Sequence, residues 1–118
     1  MPTAVLVALG GAAGALARWG LSEAAVRWFG TAAPWGTWGA NVLGCFLIGL
    51  AVPTLGAGDP RRALAVVGFL GAFTTFSSYT AETLALWDAG KSGLAVANAA
   101  GSVVVGLAAC ALGIALAR

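Results

Sequence analysis

The sequence predicts an all-α integral membrane protein with four transmembrane helices and a break in the third, pairing as an antiparallel, dual-topology dimer. Three observations carry this prediction. First, 60% of the 118 residues are hydrophobic and only 8% are charged, whereas an ordinary soluble domain carries roughly 25% charged residues and needs them to keep its surface wet. Second, the few charges leave four long apolar blocks. Third, the seven positions from Thr74 to Thr80 hold five hydroxyl residues and a tyrosine, inside one of those blocks.

The charges sit at Arg18, Glu23 and Arg27, at Asp59, Arg61 and Arg62, at Glu82, Asp88 and Lys91, and at Arg118. They leave blocks of about Thr3 to Gly20, Trp35 to Leu55, Ala63 to Trp87 and Gly93 to Ala117. At about 20 apolar residues per bilayer span, residues 1–118 accommodate four spans with short connections as one domain. Turn formers fill the connections: Thr31 to Pro34, Gly56 to Pro60 and Ala89 to Gly93. No basic segment precedes the first block, so it reads as a retained span and not as a signal peptide. Localisation is a cell (plasma or inner) membrane, crossed several times.

Four spans put both termini and the Asp59–Arg62 loop on one side, with Arg61, Arg62 and Arg118, and leave Arg18, Arg27 and Lys91 on the other. Three basic residues face three, so the positive-inside rule selects no orientation. A chain without bias inserts both ways, which permits an antiparallel pair about a two-fold axis in the membrane plane. The tryptophans are one-sided too. Trp19 is read as ending the first span, Trp28 as lying in the connection, Trp35 and Trp38 as opening the second and Trp87 as closing the third. Aromatic belts normally occupy both interfaces, and an antiparallel pair would supply both. Small-residue stripes, Gly10 and Gly14, then Gly39, Gly44 and Gly49, then Ser102, Gly106, Ala109 and Gly113, allow close helix packing.

Enzymatic chemistry is not expected. The chain has no histidine and its four acids are scattered, so one subunit assembles no side-chain metal cluster and no acid–base pair. Cys45 and Cys110 read as packing residues. No nucleic-acid partner is expected; the lipid bilayer is the surrounding medium.

The third block is the informative one. Its 25 residues, Ala63 to Trp87, would make a helix of about 38 Å, more than a hydrocarbon core of about 30 Å requires. Gly68 and Gly71 precede the hydroxyl cluster of Thr74, Thr75, Ser77, Ser78 and Thr80. Hydroxyls can satisfy backbone carbonyls freed by a break, and an unwound turn at this depth must face protein or a water-filled path. Carbonyls freed near Gly71 to Thr74 would be hard oxygen ligands for a cation, and the hydroxyls donors for an anion. In the second block Thr37, Asn41 and Gly44 follow i, i+4, i+7 and form a polar face. Its buried amide needs a partner, in a neighbouring helix or in a ligand. Arg18, near the end of the first span, would snorkel to the interface. Glu82 would face a wet vestibule more comfortably than lipid.

These residues carry a resemblance. Gly11-Ala-Ala-Gly-Ala-Leu-Ala-Arg18, Gly36-Thr-Trp-Gly-Ala-Asn41-Val-Leu-Gly-Cys-Phe46, Gly68-Phe-Leu-Gly71-Ala-Phe-Thr-Thr-Phe76-Ser-Ser-Tyr79 and Gly101-Ser102 look like the four signatures of the CrcB/Fluc family of fluoride channels. The resemblance implies a fluoride-selective channel exporting fluoride by passive electrodiffusion. It also implies an antiparallel homodimer with two separate pores around a central structural sodium ion. By position it assigns the fluoride pore to Asn41, Phe76, Ser78, Tyr79 and Ser102; the residues themselves add Thr37 and Thr75 to that polar track, with Arg18 and Glu82 as the vestibule candidates. Backbone carbonyls of Gly71 and Thr74 from each subunit would hold the sodium. This chain departs from the family pattern at Tyr79, usually Phe, at Asn98, commonly Tyr, and at Gly106 in place of a hydroxyl. The departures leave open a non-conducting or half-pore partner in a heterodimer. A small four-helix multidrug-type transporter is the rival from another class, but it needs a membrane-embedded acid in the first span, and none precedes Glu23.

Overall fold

The computed structural model describes every residue from Met1 to Arg118 and is entirely helical. Helix α1 (Thr3–Phe29) is 27 residues long. It does not stop near Gly20, as the charges suggested. Leu21 to Phe29 contain neither Gly nor Pro, and at about 1.5 Å per residue the helix simply runs past the hydrocarbon into water. Glu23 and Arg27 are exposed on that extension at i, i+4 spacing, and Trp28 is therefore helical. Gly30, at φ +77°, ends the helix, its N–H donating to the Val26 carbonyl.

Helix α2 (Trp35–Thr54) starts directly after Pro34. The third span runs over Pro60–Asp88 in two pieces. Helix α3, residues 60–73, opens on Pro60 with Asp59 as its cap, the carboxylate accepting the Arg61 N–H at 2.9 Å. The Arg61 guanidinium, donating to the same carboxylate at 2.7 Å, and then the Arg61 N–H hold the half-buried Asp59 carboxyl below the usual carboxylate range. From Ala63 to Leu70 the helix is wound in wide π turns. Helix α4 (Phe76–Asp88) follows, and α5 (Ser92–Ala117) completes the chain after a turn at Gly90, φ +79°.

Two glycine-mediated seams hold the bundle. On α1, Gly14 lies against the Phe69 carbonyl of α3, where any side chain would collide with backbone. On α5, Gly113 meets the Phe46 carbonyl of α2 in the same way. Little else is buried: Ala25, Ala40, Leu70, Phe73, Leu86 and Ala95 form the apolar core. Leu16, Val104, Leu107 and Leu116 are all more than 60% exposed, an outside suited to lipid tails. Four helical spans are long and apolar enough to cross a membrane, and the bundle measures 49 Å along its longest axis.

Candidate polar site in the third span

Between α3 and α4 two residues leave the helical region. Thr74 has φ −83°, ψ 155° and Thr75 has φ −147°, ψ 125°, both extended. The Thr74 N–H and hydroxyl still reach back to the Leu70 carbonyl, at 3.1 and 3.0 Å, but past that point the extended backbone closes no helical ladder, so the groups of Thr75 need other partners. Asn41 of α2 supplies two. Its Nδ2 donates to the Thr75 carbonyl at 2.9 Å, and its Oδ1 accepts the Thr75 N–H at 2.8 Å. A side-chain amide thus pairs with the Thr75 peptide as a neighbouring strand would. The Thr75 hydroxyl caps α4 by accepting the Ser78 N–H at 3.2 Å. Gly44, one helical turn beyond Asn41, makes room for the Thr74 side chain.

Arg18 donates from Nε to the Ala72 carbonyl at 3.1 Å. The expected reach toward the interface therefore starts from a guanidinium tethered to the third span. Helix α1 continues to Phe29, so Arg18 lies within it and its Nε bridges to a carbonyl on the neighbouring span.

The carbonyls from Gly71 to Thr74 lose their helical partners; Arg18 takes that of Ala72, and those of Gly71 and Thr74 are among the ones left over. The Thr75 N–H that would have closed on Gly71 goes to Asn41, and the Ser78 N–H that would have closed on Thr74 goes to the Thr75 hydroxyl. Gly71 is exposed on the surface of the single chain and Thr74 is half-buried. Two uncharged hard oxygens freed within four residues fit a small alkali cation by donor chemistry, with further oxygens needed to complete its shell.

Toward the end of the bundle where α4 meets α5, Thr37 is 8% exposed and its hydroxyl donates to Glu82 Oε1 at 2.9 Å. Glu82 Oε2 is buried without a partner. Both residues line a cavity of about 380 Å³, together with Ser22, Trp35 and Lys91. A second cavity, of about 260 Å³, is lined by Asn41, Gly44, Cys45, Gly71 and Thr74.

On α4, the rings of Phe76 and Tyr79 lie with centroids 5.7 Å apart, tilted at 38°. Phe76 is 77% exposed and points outward from the single chain. Ser78 is half-buried, one turn into the same helix. Across from these, Asn98 Nδ2 donates to the Thr83 hydroxyl at 2.8 Å, and the Ser102 hydroxyl donates to Asn98 Oδ1 at 3.3 Å. The Tyr79 hydroxyl donates to the Ala99 carbonyl.

The residues singled out from sequence therefore form three groups: Asn41 with Thr75, Thr37 with Glu82, and Tyr79 near Ser102 through Asn98. Within one chain Asn41 grips backbone, its two hydrogen bonds both going to Thr75. Sequence reasoning missed Thr83 altogether, although its i, i+4 relation to Tyr79 was visible, and noted Asn98 only as a departure.

Residues 5–114 match the family described as CrcB-like protein, Camphor Resistance (CrcB). The chain is 45% identical to a protein of Magnetococcus marinus over 116 residues, covering 95% of this chain and 94% of that one. It is 46% identical to a protein of Phenylobacterium zucineum, covering 100% and 97%, and 38% identical to one of Rhizobium johnstonii, covering 100% and 98%. Each of the three carries the name fluoride-specific ion channel FluC.

Proposed function

The chain belongs to the CrcB-like family, and on that premise we propose that it is a fluoride channel of a bacterial inner membrane, working by passive electrodiffusion and performing no catalysis. The observation that carries this is near-full-length identity of 45% and 46% to relatives named as fluoride-specific channels. The chemistry of the third span supports it. Fluoride is small and strongly hydrated, so a pore must replace its water with donors that also let it go: amide N–H, hydroxyls and the electropositive edges of aromatic rings. Asn41 and Ser78 are donors without formal charge, Ser102 is a hydroxyl whose hydrogen is given to Asn98 within one chain, and Tyr79 and the outward ring of Phe76 offer ring edges. Thr37 and Glu82 line the vestibule cavity from which an ion would enter. Arg18 brings the one positive charge close to the interrupted segment and spends an N–H on backbone, which moderates its grip on an anion.

Assembly follows the same reading. The pair is antiparallel, two identical chains in opposite orientations with one fluoride path each. Supporting it are the equal basic counts of the two sides and the exposed Phe76 ring, which a second copy would cover. Gly71 and Thr74 of each copy would hold a sodium ion, which when bound supplies a positive charge between the two unwound turns. Efflux of fluoride from liposomes containing the purified protein, read with a fluoride electrode, tests the proposal. Rapid fluoride efflux with chloride retained is expected; liposomes no leakier to fluoride than protein-free ones would overturn it.

A further inference from the structure

The structure assigns Asn98 a positioning role: it closes a hydrogen-bonded clasp between α4 and α5 that holds the Tyr79 ring at both ends. The inference rests on the channel reading above. The clasp can be followed bond by bond. Asn98 Nδ2 donates to the Thr83 hydroxyl at 2.8 Å, and that hydroxyl donates to the Tyr79 carbonyl at 2.6 Å. The Tyr79 side chain then crosses to α5, where its hydroxyl donates to the carbonyl of Ala99, the residue after Asn98. The circuit begins and ends on adjacent residues of one helix and passes through both the backbone and the side chain of Tyr79. Ser102 steadies it by donating to Asn98 Oδ1 at 3.3 Å.

Two consequences follow from counting hydrogens. A hydroxyl has one hydrogen to give. Tyr79 spends its own on Ala99 and Thr83 spends its own on Tyr79, so neither hydroxyl is a donor for a passing anion while the clasp is closed. What Tyr79 offers the ion is its ring edge, and the hydroxyl fixes where that edge points, beside Phe76 at 5.7 Å. A phenylalanine at this position would keep the edge and lose the anchor. Asn98 makes its hydrogen bonds to Thr83 and Ser102 and reaches Tyr79 through Thr83, so its role is to position the ring.

A mutant cycle in liposomes tests this, with efflux normalised to folded protein and the fluoride-to-chloride ratio as a second reading. Tyr79→Phe and Asn98→Ala should each lower fluoride efflux about fivefold, and the double variant should fall no further than the worse single one, because both open the same circuit. The fluoride-to-chloride ratio should drop with them, a change that a loss of folded protein would not produce. Thr83→Val should match the single variants, whereas Thr83→Ser, which keeps the hydroxyl, should restore wild-type efflux. If Asn98→Ala does not fold, Asn98→Asp takes its place: it keeps shape and the bond from Ser102 but loses the donor to Thr83. Losses that multiply to about 25-fold in the double variant, or wild-type efflux and selectivity in Tyr79→Phe, would overturn the clasp while leaving the channel reading intact. A wild-type protein that passes no fluoride would overturn both.

Discussion

Replacing Asn41 by alanine should destabilise the protein and not merely slow it. The substitution removes both partners of the Thr75 peptide, the acceptor at 2.8 Å and the donor at 2.9 Å. A buried backbone group left unpaired costs about 1–3 kcal/mol, and two such groups therefore about 2–6 kcal/mol. The cavity of about 260 Å³ that Asn41 helps to line gives water a route to the orphaned groups, which favours the lower half of that range, about 2–4 kcal/mol. The measurement is reversible denaturation of the purified protein in mixed detergent micelles, followed by tryptophan fluorescence, alongside fluoride efflux per folded molecule. If Asn41 served only as an ion donor, efflux would fall with stability unchanged. An Asn41→Ala protein within about 0.5 kcal/mol of wild type would refute the backbone-pairing account. Asn41→Asp sharpens the test. An ionised carboxylate still accepts the Thr75 N–H but repels the Thr75 carbonyl, whereas the protonated acid donates to it. The variant should therefore recover only the part of the Asn41→Ala loss that comes from the Thr75 N–H, and an Asn41→Asp protein as stable as wild type would refute the two-partner account.

Other outcomes are expected on the same grounds. Phe76→Ile alters a ring that is 77% exposed in the single chain, so fluoride efflux should fall at least about tenfold with unfolding of one chain shifted by less than about 1 kcal/mol; wild-type efflux would place the path elsewhere. Exchanging sodium for a large organic cation should weaken the dimer on size-exclusion chromatography. Thr74→Ala should retain that sodium dependence because the proposed ligand is a carbonyl, and a dimer indifferent to sodium in both proteins would count against the site. Tags on the C-terminus should be reached by impermeant reagents from both faces of the membrane, and strictly one-sided labelling of an active homodimer contradicts the antiparallel pairing. Gly14→Val would press a side chain onto the Phe69 carbonyl, so assembly should fail or lose roughly 3 kcal/mol, the upper end for overpacking.

What the sequence revealed and what it hid divide along a physical line. Four spans were legible because lipid demands long apolar runs, and the four blocks fall on the four helices long enough to cross. The end of α1 was not, because charged residues mark where hydrocarbon stops and not where a helix does; Glu23 and Arg27 ride on a helix that only Gly30 ends. The hydroxyl cluster marked the stretch in which Thr74 and Thr75 are extended. Its partners were hidden. That Asn41 needs a partner follows from desolvation, but that the partner is the peptide of Thr75, 34 residues away, depends on how α2 leans on the third span. The same holds for Arg18 with Ala72 and for Asn98 with Thr83, side-chain bonds between helices that no local periodicity encodes.

Those hidden bonds explain why so few polar residues suffice at this depth. Leaving the helix at Thr74 and Thr75 frees backbone groups that lipid cannot satisfy. One amide, one guanidinium and one hydroxyl meet them: Asn41 takes both groups of Thr75, Arg18 takes the Ala72 carbonyl, and Thr75 caps the Ser78 N–H. The carbonyls of Gly71 and Thr74, displaced from their helical partners, are acceptors, and acceptors repel fluoride as surely as they suit a cation. Beyond them α4 begins, presenting the positive end of its dipole, the Ser78 hydroxyl and the paired rings. An interruption satisfied in this way sorts its backbone by sign, oxygens toward Gly71 and Thr74 and donors toward Phe76 and Ser78. A single unwound turn can then serve a sodium ion and a fluoride ion at once only if the two approach it from different sides, which is the arrangement an antiparallel pair around a central cation would provide.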